Sequence, residues 1–317
     1  MGFKGIELRN DSHQTRKLES LEIGFTSRCN FNCHYCGAYN RDDKGSVLSA
    51  AQVIDLIKDL PDLKRIKLSG GEVTLLFEDC LQIVKFCTSR GIESQINTNG
   101  SVLNARKIKL LDEAGLKYIH FSLNHTDARA HHNYYKQGEK TFHRIIENIR
   151  HTVASASIDT IIEMIIFAET LDHFVEFYHF TYELGVRKLQ IQTPVQQSNW
   201  NASLPPEKLK EAIETLLTVK KPDSEFYFTC LEIDPASHFY KKIEKLIQQG
   251  GVYFPYCIEG IKQLHLHSNG DILICDIGNP VVLGNALKGE SLKDIFSNKG
   301  GELDVLADNC KCLNYLS

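Results

Sequence analysis

The sequence predicts an α/β fold: a partial (β/α)6 barrel followed by a small C-terminal Cys-rich module of hairpin plus helix. Between about residues 20 and 219, short β-branched runs alternate with helical periodicity, which is typical of βα units around a parallel sheet. Six units can be counted, too few for a closed eight-stranded barrel. The alternation ends after residue 220, so we expect residues 1–220 to form the barrel and 221–317 the second module.

Each predicted strand is a short apolar or β-branched run that is followed by helix-start signals. The six predicted strands are Leu21–Thr26, Arg65–Ser69, Ile92–Asn97, Lys117–Leu123, Ile158–Phe167 and Arg187–Thr193. Ser49 and Asn104 stand where N-caps belong, and Gly91, Gly115 and Gly185 mark helix ends. With right-handed crossovers, these units give a curved, partly open barrel whose functional loops follow the carboxyl ends of the strands.

Composition excludes several classes of protein. No apolar run approaches the length of a membrane span, and the first residues lack the apolar region of a signal peptide, so we expect a cytoplasmic protein with no membrane partner. A formal net charge of -4 disfavours nucleic acid as a partner. Ten cysteines without an export signal favour metal ligation or reactive thiols over a disulfide framework.

Three cysteines follow the first predicted strand as a C-x3-C-x2-C loop: Cys29, Cys33 and Cys36. Soft thiolates suit iron-sulfur clusters, and three of them can hold three irons of a four-iron cluster while the fourth stays open. The C-x2-C part alone would also suit a zinc knuckle or a disulfide.

This loop, with Tyr35 before its third cysteine, resembles the signature of the radical S-adenosylmethionine (SAM) superfamily. The resemblance implies a [4Fe-4S] cluster whose open iron chelates SAM, and a reductant such as flavodoxin or ferredoxin that triggers cleavage of SAM to a 5′-deoxyadenosyl radical. It also implies that Tyr35 contributes to cofactor binding.

Further segments resemble cofactor-binding motifs of that superfamily. Gly70, Gly71 and Glu72 resemble its GGE motif, which would receive the amino group of SAM, although Val73 stands where relatives often have proline. Asn99 lies in a polar strand end that is also frequent in the family. On their own, these segments indicate only a glycine turn and an Asn-Gly turn.

The ends of the fourth and sixth strands supply the remaining predicted cofactor contacts. Ser122 and Asn124 stand where relatives frequently read Ser-x-Asp, which implies contacts to the ribose or the carboxylate of SAM. Gln190 and Gln192 lie at period two on the sixth strand and are either ligand contacts or members of an internal network. Glu163, in an otherwise apolar strand, is a carboxylate that needs a partner.

A second cysteine set resembles the Twitch or SPASM extension of radical SAM enzymes. Cys257 precedes Gly270 and Cys275 at the spacing of that pattern, and Cys310 and Cys312 complete four thiols. The resemblance implies one auxiliary [4Fe-4S] cluster, although the C-x-C ending departs from the usual C-x2-C. Tetrahedral zinc is the alternative.

Three cysteines remain outside both sets. Cys80 and Cys87 are seven residues apart on a predicted helix and are expected to be buried structural thiols. Cys230 is either a packed thiol or a catalytic residue that returns a hydrogen atom to a substrate radical, as the resemblance to radical SAM epimerases implies.

The resemblance thus leads to a functional hypothesis: an enzyme that abstracts hydrogen from a peptide, sugar or nucleoside-like substrate, leading to oxidation or epimerisation. One alternative is a radical cyclase or carbon-sulfur bond former, although the tail lacks the arginine-rich ending of cyclase relatives. An alternative of another class is a non-catalytic Fe-S or zinc-binding scaffold.

Overall fold

The computed structural model describes residues 17–33, 36, 45–155, 157–193, 204–255, 262–275, 281–298 and 314–316. The strands are β1 Ser20–Thr26, β2 Arg65–Gly70, β3 Glu93–Thr98, β4 Tyr118–Ser122, β5 Asp159–Ile165, β6 Lys188–Gln192, β7 Glu225–Thr229, β8 Leu231–Ile233, β9 Val252–Tyr253, β10 Gln263–His267, β11 Asp271–Leu273, β12 Val282–Asn285 and β13 Asn314–Leu316. The α-helices are α1 Ala50–Ile57, α2 Phe77–Ser89, α3 Ala105–Glu113, α4 Ala128–Tyr135, α5 Glu139–Val153, α6 Ala168–Leu171, α7 Phe174–Glu183, α8 Pro206–Val219, α9 His238–Gln248 and α10 Leu292–Asn298.

The sheet confirms the predicted mixed α/β class and partial barrel. Its strand order is β12-β11-β10-β1-β2-β3-β4-β5-β6-β7-β9, and every neighbouring pair from β10 to β9 is parallel. All six predicted strands occur, with ends shifted by one or two residues. Parallel pairing in sequence order brings the carboxyl ends of β1 to β7 to one edge, where the cysteine loop begins.

Residues beyond 220 contribute strands to this same sheet. β7 continues it next to β6, and β10 pairs in parallel with β1 at the opposite end of the row. The predicted turn at Gly270 is present: β10 and β11 form an antiparallel hairpin, and Gly270 adopts a φ of +88°. The division at residue 220 therefore remains a prediction about domains, while the sheet itself runs across it.

The two faces of the sheet differ in chemistry because side chains alternate along each strand. On β1, Leu21, Ile23 and Phe25 are fully buried in the core that the helices cover. The helices begin as predicted; Ser49, for example, closes a capping box with Gln52. Cys80 and Cys87 are fully buried on α2, which confirms the predicted burial of both thiols.

The other face, called the inner face below, is polar. Its members alternate with the buried apolar residues and are paired across strands, as Glu22 is with Lys67 and Asn97 with His120. The inner face comprises Gln263, His265 and His267 on β10, Ser20, Glu22 and Gly24 on β1, Arg65, Lys67 and Ser69 on β2, Glu93, Gln95 and Asn97 on β3, Tyr118, His120 and Ser122 on β4, Asp159, Ile161, Glu163 and Ile165 on β5, Lys188, Gln190 and Gln192 on β6, and Glu225, Tyr227 and Thr229 on β7. Most of these side chains are half-buried, although they stand on central strands, so solvent reaches them from the inner side.

Candidate functional site

The cysteine loop leaves the carboxyl end of β1. Cys29 is exposed, Cys33 and Cys36 are half-buried, and no disulfide joins them. The Cys36 N–H donates to the Cys33 carbonyl at 3.1 Å, and the Phe31 N–H donates to the Cys29 Sγ at 3.4 Å. Three thiols on one tight loop at the mouth of the barrel fit the donor set of a site-differentiated [4Fe-4S] cluster.

The electrostatic surroundings disfavour a bare thiolate at this loop. Although Cys29 is exposed, the surrounding chain limits hydration of its sulfur, and this desolvation, helped by the charges of Glu72 and Cys36, raises the pKa of Cys29 to about 11. A bound cation reverses this preference, because a coordinating thiol is deprotonated outright. In the described ranges, no group of three or more His, Cys, Asp or Glu side chains is arranged around a single metal ion.

Gly70, the last residue of β2, and Gly71, which follows it, lie directly against the start of this loop. The Gly71 N–H donates to the Thr26 carbonyl at 2.6 Å, and the Glu72 N–H donates to the Arg28 carbonyl at 2.8 Å. A Cβ on Gly71 would lie 2.5 Å from the carbonyl carbon of Arg28 and closer still to its oxygen. Gly70 has a φ of +114°, a conformation that favours glycine, and a Cβ there would collide with the Thr26 carbonyl. The glycines therefore permit backbone contact between the two predicted cofactor-binding segments.

The Glu72 carboxylate points into the protein. It is 1% exposed and accepts hydrogen bonds from the Thr74 N–H at 2.9 Å, the Thr98 hydroxyl at 2.6 Å and the Asn99 N–H at 2.7 Å, as well as from the Thr74 hydroxyl. Burial raises the pKa of Glu72, and these hydrogen bonds oppose that rise. Both oxygens are thus engaged within the protein, and a contact of Glu72 with SAM stays a prediction.

Asn99 links this carboxylate to the cysteine loop. Its side-chain amide donates to the Asn30 Oδ1 at 3.0 Å, and its own Oδ1 accepts the Ser101 N–H at 2.9 Å. The Asn30 Nδ2 donates to the Ser101 hydroxyl at 2.8 Å, and Gln137 donates to the Asn30 carbonyl at 3.2 Å. Asn30 was not predicted from the sequence as a site residue, although it lies between two predicted ligands. Its position inside the motif was the available signal.

Aromatic packing fixes the other side of the loop. The Phe31 ring lies 5.9 Å from the His131 ring and 5.6 Å from the Tyr135 ring, both on α4. Burial lowers the pKa of His131 to about 4, with small additional effects of His125 and His132. The neutral imidazole therefore acts as an aromatic packing group beneath the cysteine loop.

The predicted contacts at the ends of β4 and β6 take different positions. Ser122 is exposed on the inner face, and Gln192 is half-buried at the end of β6. Asn124 is 4% exposed; it donates to the Tyr135 hydroxyl at 2.6 Å and accepts the Ile165 N–H at 2.8 Å. It therefore joins the ends of two strands to α4, while its predicted role at the cofactor stays a prediction.

Cys230 directly follows β7, so it lies at the carboxyl edge of the sheet with Gln192 and Ser122. Its carbonyl accepts the Thr193 hydroxyl at 2.6 Å, and its φ is +57°, a left-handed conformation that costs a non-glycine residue roughly 1–3 kcal/mol.

The described residues include one member of the second cysteine set, Cys275, which is buried and follows β11. Tyr35, Cys257, Cys310 and Cys312 lie outside the described residues. Their predicted roles stay predictions.

A polar cluster on the inner face connects three strands. The Asn97 Nδ2 donates to the Glu163 Oε2 at 2.7 Å, Gln95 donates to the Asn97 Oδ1 at 2.8 Å, and the His120 Nδ1 lies 3.5 Å from the same Glu163 oxygen. Burial opposes ionisation of Glu163, but the contacts with His120, Lys67 and Asn97 outweigh it and lower the pKa of Glu163 below its usual value. The suspicion that Glu163 has a partner is thus confirmed. His120 was not predicted; its polar side chain at period two with Ser122 was the available signal.

Comparison with known proteins agrees with this geometry. The family model of the Radical SAM superfamily matches residues 23–181, which include the cysteine loop and the glycine motif. A "Probable GTP 3′,8-cyclase" of Saccharolobus islandicus strain L.S.2.15 is 25% identical over 304 residues, 92% of this chain and 94% of that protein. A second protein of that name, from Sulfurisphaera tokodaii, is 28% identical over 181 residues, and the match spans only 56% of its length.

Solved structures share the fold. Streptococcus suis SuiB bound to S-adenosylmethionine superposes with a TM-score of 0.69 at 17% identity, covering 92% of this chain and 68% of SuiB. Native anSMEcpe with bound AdoMet gives 0.66 at 16% identity, covering 91% of this chain and 83% of that one. The cysteine loop, the glycine contacts and the match over half of the chain lead to one conclusion: this protein belongs to the Radical SAM superfamily, whose members bind a [4Fe-4S] cluster and SAM.

Proposed function

We propose that this protein uses SAM to abstract a hydrogen atom from a polar substrate on the inner face, leading to oxidation or epimerisation. The single observation that carries the proposal is that the cysteine loop leaves the carboxyl end of β1, a strand of the sheet that bears the polar inner face. When bound, the cluster and SAM supply a 5′-deoxyadenosyl radical. The chain holds the loop through Gly71, Asn30 and Phe31 and presents polar groups to the substrate.

The two outcomes differ in where the electron goes. In oxidation, the substrate loses one hydrogen atom to the deoxyadenosyl group, then an electron to an acceptor and a proton to solvent. In epimerisation, the Cys230 thiol gives a hydrogen atom to the substrate radical, and the resulting thiyl is restored by one electron from a reductant such as flavodoxin or ferredoxin and one proton from solvent. The position of Cys230 at the carboxyl edge supports the second route.

The test is anaerobic reconstitution with iron and sulfide, followed by dithionite, SAM and extract of the native host in deuterated water. We expect release of 5′-deoxyadenosine and either a substrate two mass units lighter or one that gains a single deuterium. The Cys230→Ala variant should abolish deuterium incorporation and still release 5′-deoxyadenosine. Failure of the reconstituted wild-type protein to release any 5′-deoxyadenosine would contradict the proposal.

The auxiliary cluster is part of the proposal. Cys275 with Cys257, Cys310 and Cys312 would give a second [4Fe-4S] cluster, so about eight irons per chain are expected rather than about four. Zinc in place of iron at both cysteine sets would favour the non-catalytic scaffold instead.

A second candidate is a radical cyclase, favoured by the relatives named GTP 3′,8-cyclase, one of which matches 92% of this chain. Anaerobic incubation with GTP, dithionite and SAM separates the candidates: a cyclised product with the mass of GTP supports the cyclase.

A further inference from the structure

The charges of the inner face bear on which substrates it can accept. Among its described residues, five carboxylates stand against three cations, an excess of two negative charges: Glu22, Glu93, Asp159, Glu163 and Glu225 against Arg65, Lys67 and Lys188. Inside a partly closed barrel, such an excess repels anions because hydration screens the charges less than at an open surface.

Each of these cations already has an acidic partner. The Lys67 Nζ lies 3.0 Å from the Glu22 carboxylate, and the Lys188 Nζ lies 3.0 Å from that of Asp159. The remaining cation, Arg65, lies 2.8 Å from Glu93. A polyphosphate entering this face would have to break these pairs and leave buried or half-buried carboxylates uncompensated, which is costly.

The His120 Nδ1 and the Thr229 Oγ1 are buried atoms of this face without a hydrogen-bond partner, and the His120 atom lies beside Glu163. His120 is 6% exposed, and its buried Nδ1 has no hydrogen-bond partner. The Glu163 Oε2, 3.5 Å away, is beyond ordinary hydrogen-bond length for this nitrogen. A buried polar atom without a partner carries a desolvation cost that a ligand group can relieve.

The cluster lies near the carboxyl half of the barrel. Glu163 pairs with Ser122, the last residue of β4, and with Gln190 on β6. Ser122 is exposed at the mouth and stands level with Glu163 on the neighbouring strand, whereas His120 lies two residues deeper on β4, so a molecule entering from the side of the cysteine loop reaches Ser122 and Glu163 before His120.

We infer that His120 and Glu163 form a substrate subsite for a hydroxyl or amine group, and that the substrate is a neutral or cationic polyhydroxylated molecule rather than a polyphosphate. A hydroxyl can accept from an N–H of His120 and donate to the Glu163 carboxylate, and an ammonium can donate to both. This inference rests on the proposed function and narrows its substrate class.

The test measures binding to the reconstituted protein in the presence of SAM by isothermal titration calorimetry. Two matched pairs of probes are used: guanosine with GTP, and glucosamine with glucosamine 6-phosphate. Members of a pair share every hydroxyl except the one that carries the phosphate. In each pair, we expect the unphosphorylated member to bind the wild-type protein at least about tenfold more tightly.

Three variants locate the subsite. Glu163→Gln and His120→Asn should each weaken binding of the unphosphorylated probe by about tenfold or more, because each removes one side of the bridge. The matched control is Glu113→Gln, an exposed carboxylate on α3, outside the inner face, whose partner is Lys109; it should leave the Kd unchanged. Circular dichroism checks that each variant is folded. If Glu163→Gln does not fold, His120→Asn still tests the subsite.

Preferred binding of the phosphorylated members, an unchanged Kd in both folded variants, or no binding of either unphosphorylated probe at millimolar concentration would each overturn the inference. The proposed function fails separately, if the wild-type protein releases no 5′-deoxyadenosine from SAM. A protein that cleaves SAM yet prefers GTP would disprove the subsite and favour the cyclase.

Discussion

Replacing Gly71 by alanine should disable SAM cleavage while leaving most of the fold intact. The added Cβ would lie 2.5 Å from the Arg28 carbonyl carbon, in a segment that leads directly into the first predicted ligand, Cys29. Nonbonded carbons approach to about 3.5 Å, so the two segments must separate by about 1 Å. The atoms of Arg28 that face this position belong to the main chain, so no side-chain rotation can relieve the clash and the backbone itself must move.

The size of the effect follows from that displacement. A misplacement of about 1 Å at a reacting group costs roughly 100-fold in rate, and overpacking costs about 1–3 kcal/mol of stability. We therefore expect Gly71→Ala to lower the rate of 5′-deoxyadenosine release by about 100-fold, with a loss of about 1–3 kcal/mol in the free energy of unfolding of the apo protein. The two hydrogen bonds that join this segment to β1 and Arg28 should weaken together.

The assay is anaerobic SAM cleavage followed by chromatography, together with iron content and urea unfolding. Gly138→Ala is the matched control, since Gly138 is the N-cap residue of α5 with a φ of -61° and a Cβ there meets nothing within 4 Å. A fully folded Gly71→Ala protein that cleaves SAM at the wild-type rate would refute the argument that backbone contact at this glycine positions the cysteine loop.

Three further predictions follow from the same network. Asn30→Ala removes the side-chain hydrogen bonds to Asn99 and Ser101, so the cysteine loop should loosen. We expect faster alkylation of Cys29 in the apo protein and faster loss of iron to a chelator than in the wild-type protein. Rates equal to those of the wild-type protein would argue against an anchoring role of Asn30. Glu72→Gln leaves one side-chain oxygen for two backbone N–H donors, those of Thr74 and Asn99, and should lower the free energy of unfolding by about 1–3 kcal/mol, whereas an unchanged urea midpoint would contradict this. The contacts of Glu163 lower the pKa of its carboxyl below the ordinary 4.5, so ionised Glu163 stabilises the fold above pH 4.5 and loses that effect as the pH falls toward the lowered value. The difference in Tm between the wild-type protein and Glu163→Gln should therefore shrink on acidification. A difference that stays constant with pH would be inconsistent with the lowered pKa.

The sequence was sufficient for the parts of the site that are local in the chain. The C-x3-C-x2-C loop, the glycines at the end of β2 and the hairpin at Gly270 are short patterns whose geometry depends on neighbouring residues. Alternation of short strands with capped helices likewise predicted all six strands, with errors confined to their ends.

Roles that depend on distant residues were less accessible. Glu72 was predicted to receive SAM, which stays a prediction, and the structure adds that its carboxylate is hydrogen-bonded to Thr98, the last residue of β3, and to Asn99, which follows it. Asn124 was predicted as a cofactor contact on the same grounds, and its amide joins two strands to α4. A motif identifies the residue type at a position, whereas the direction of the side chain is decided by what packs around it.

Sequence alone determined that this chain carries the cysteine loop and the βα order of a partial barrel, since both are written in local spacing. Only the tertiary structure brought Asn97, His120 and Glu163 together, because strand register decides which residues from three separate βα units face each other. It also decided that β7 and β10 extend the sheet at its two ends. Such pairings are formed by backbone hydrogen bonds between segments far apart in the chain, and no local pattern specifies the partner.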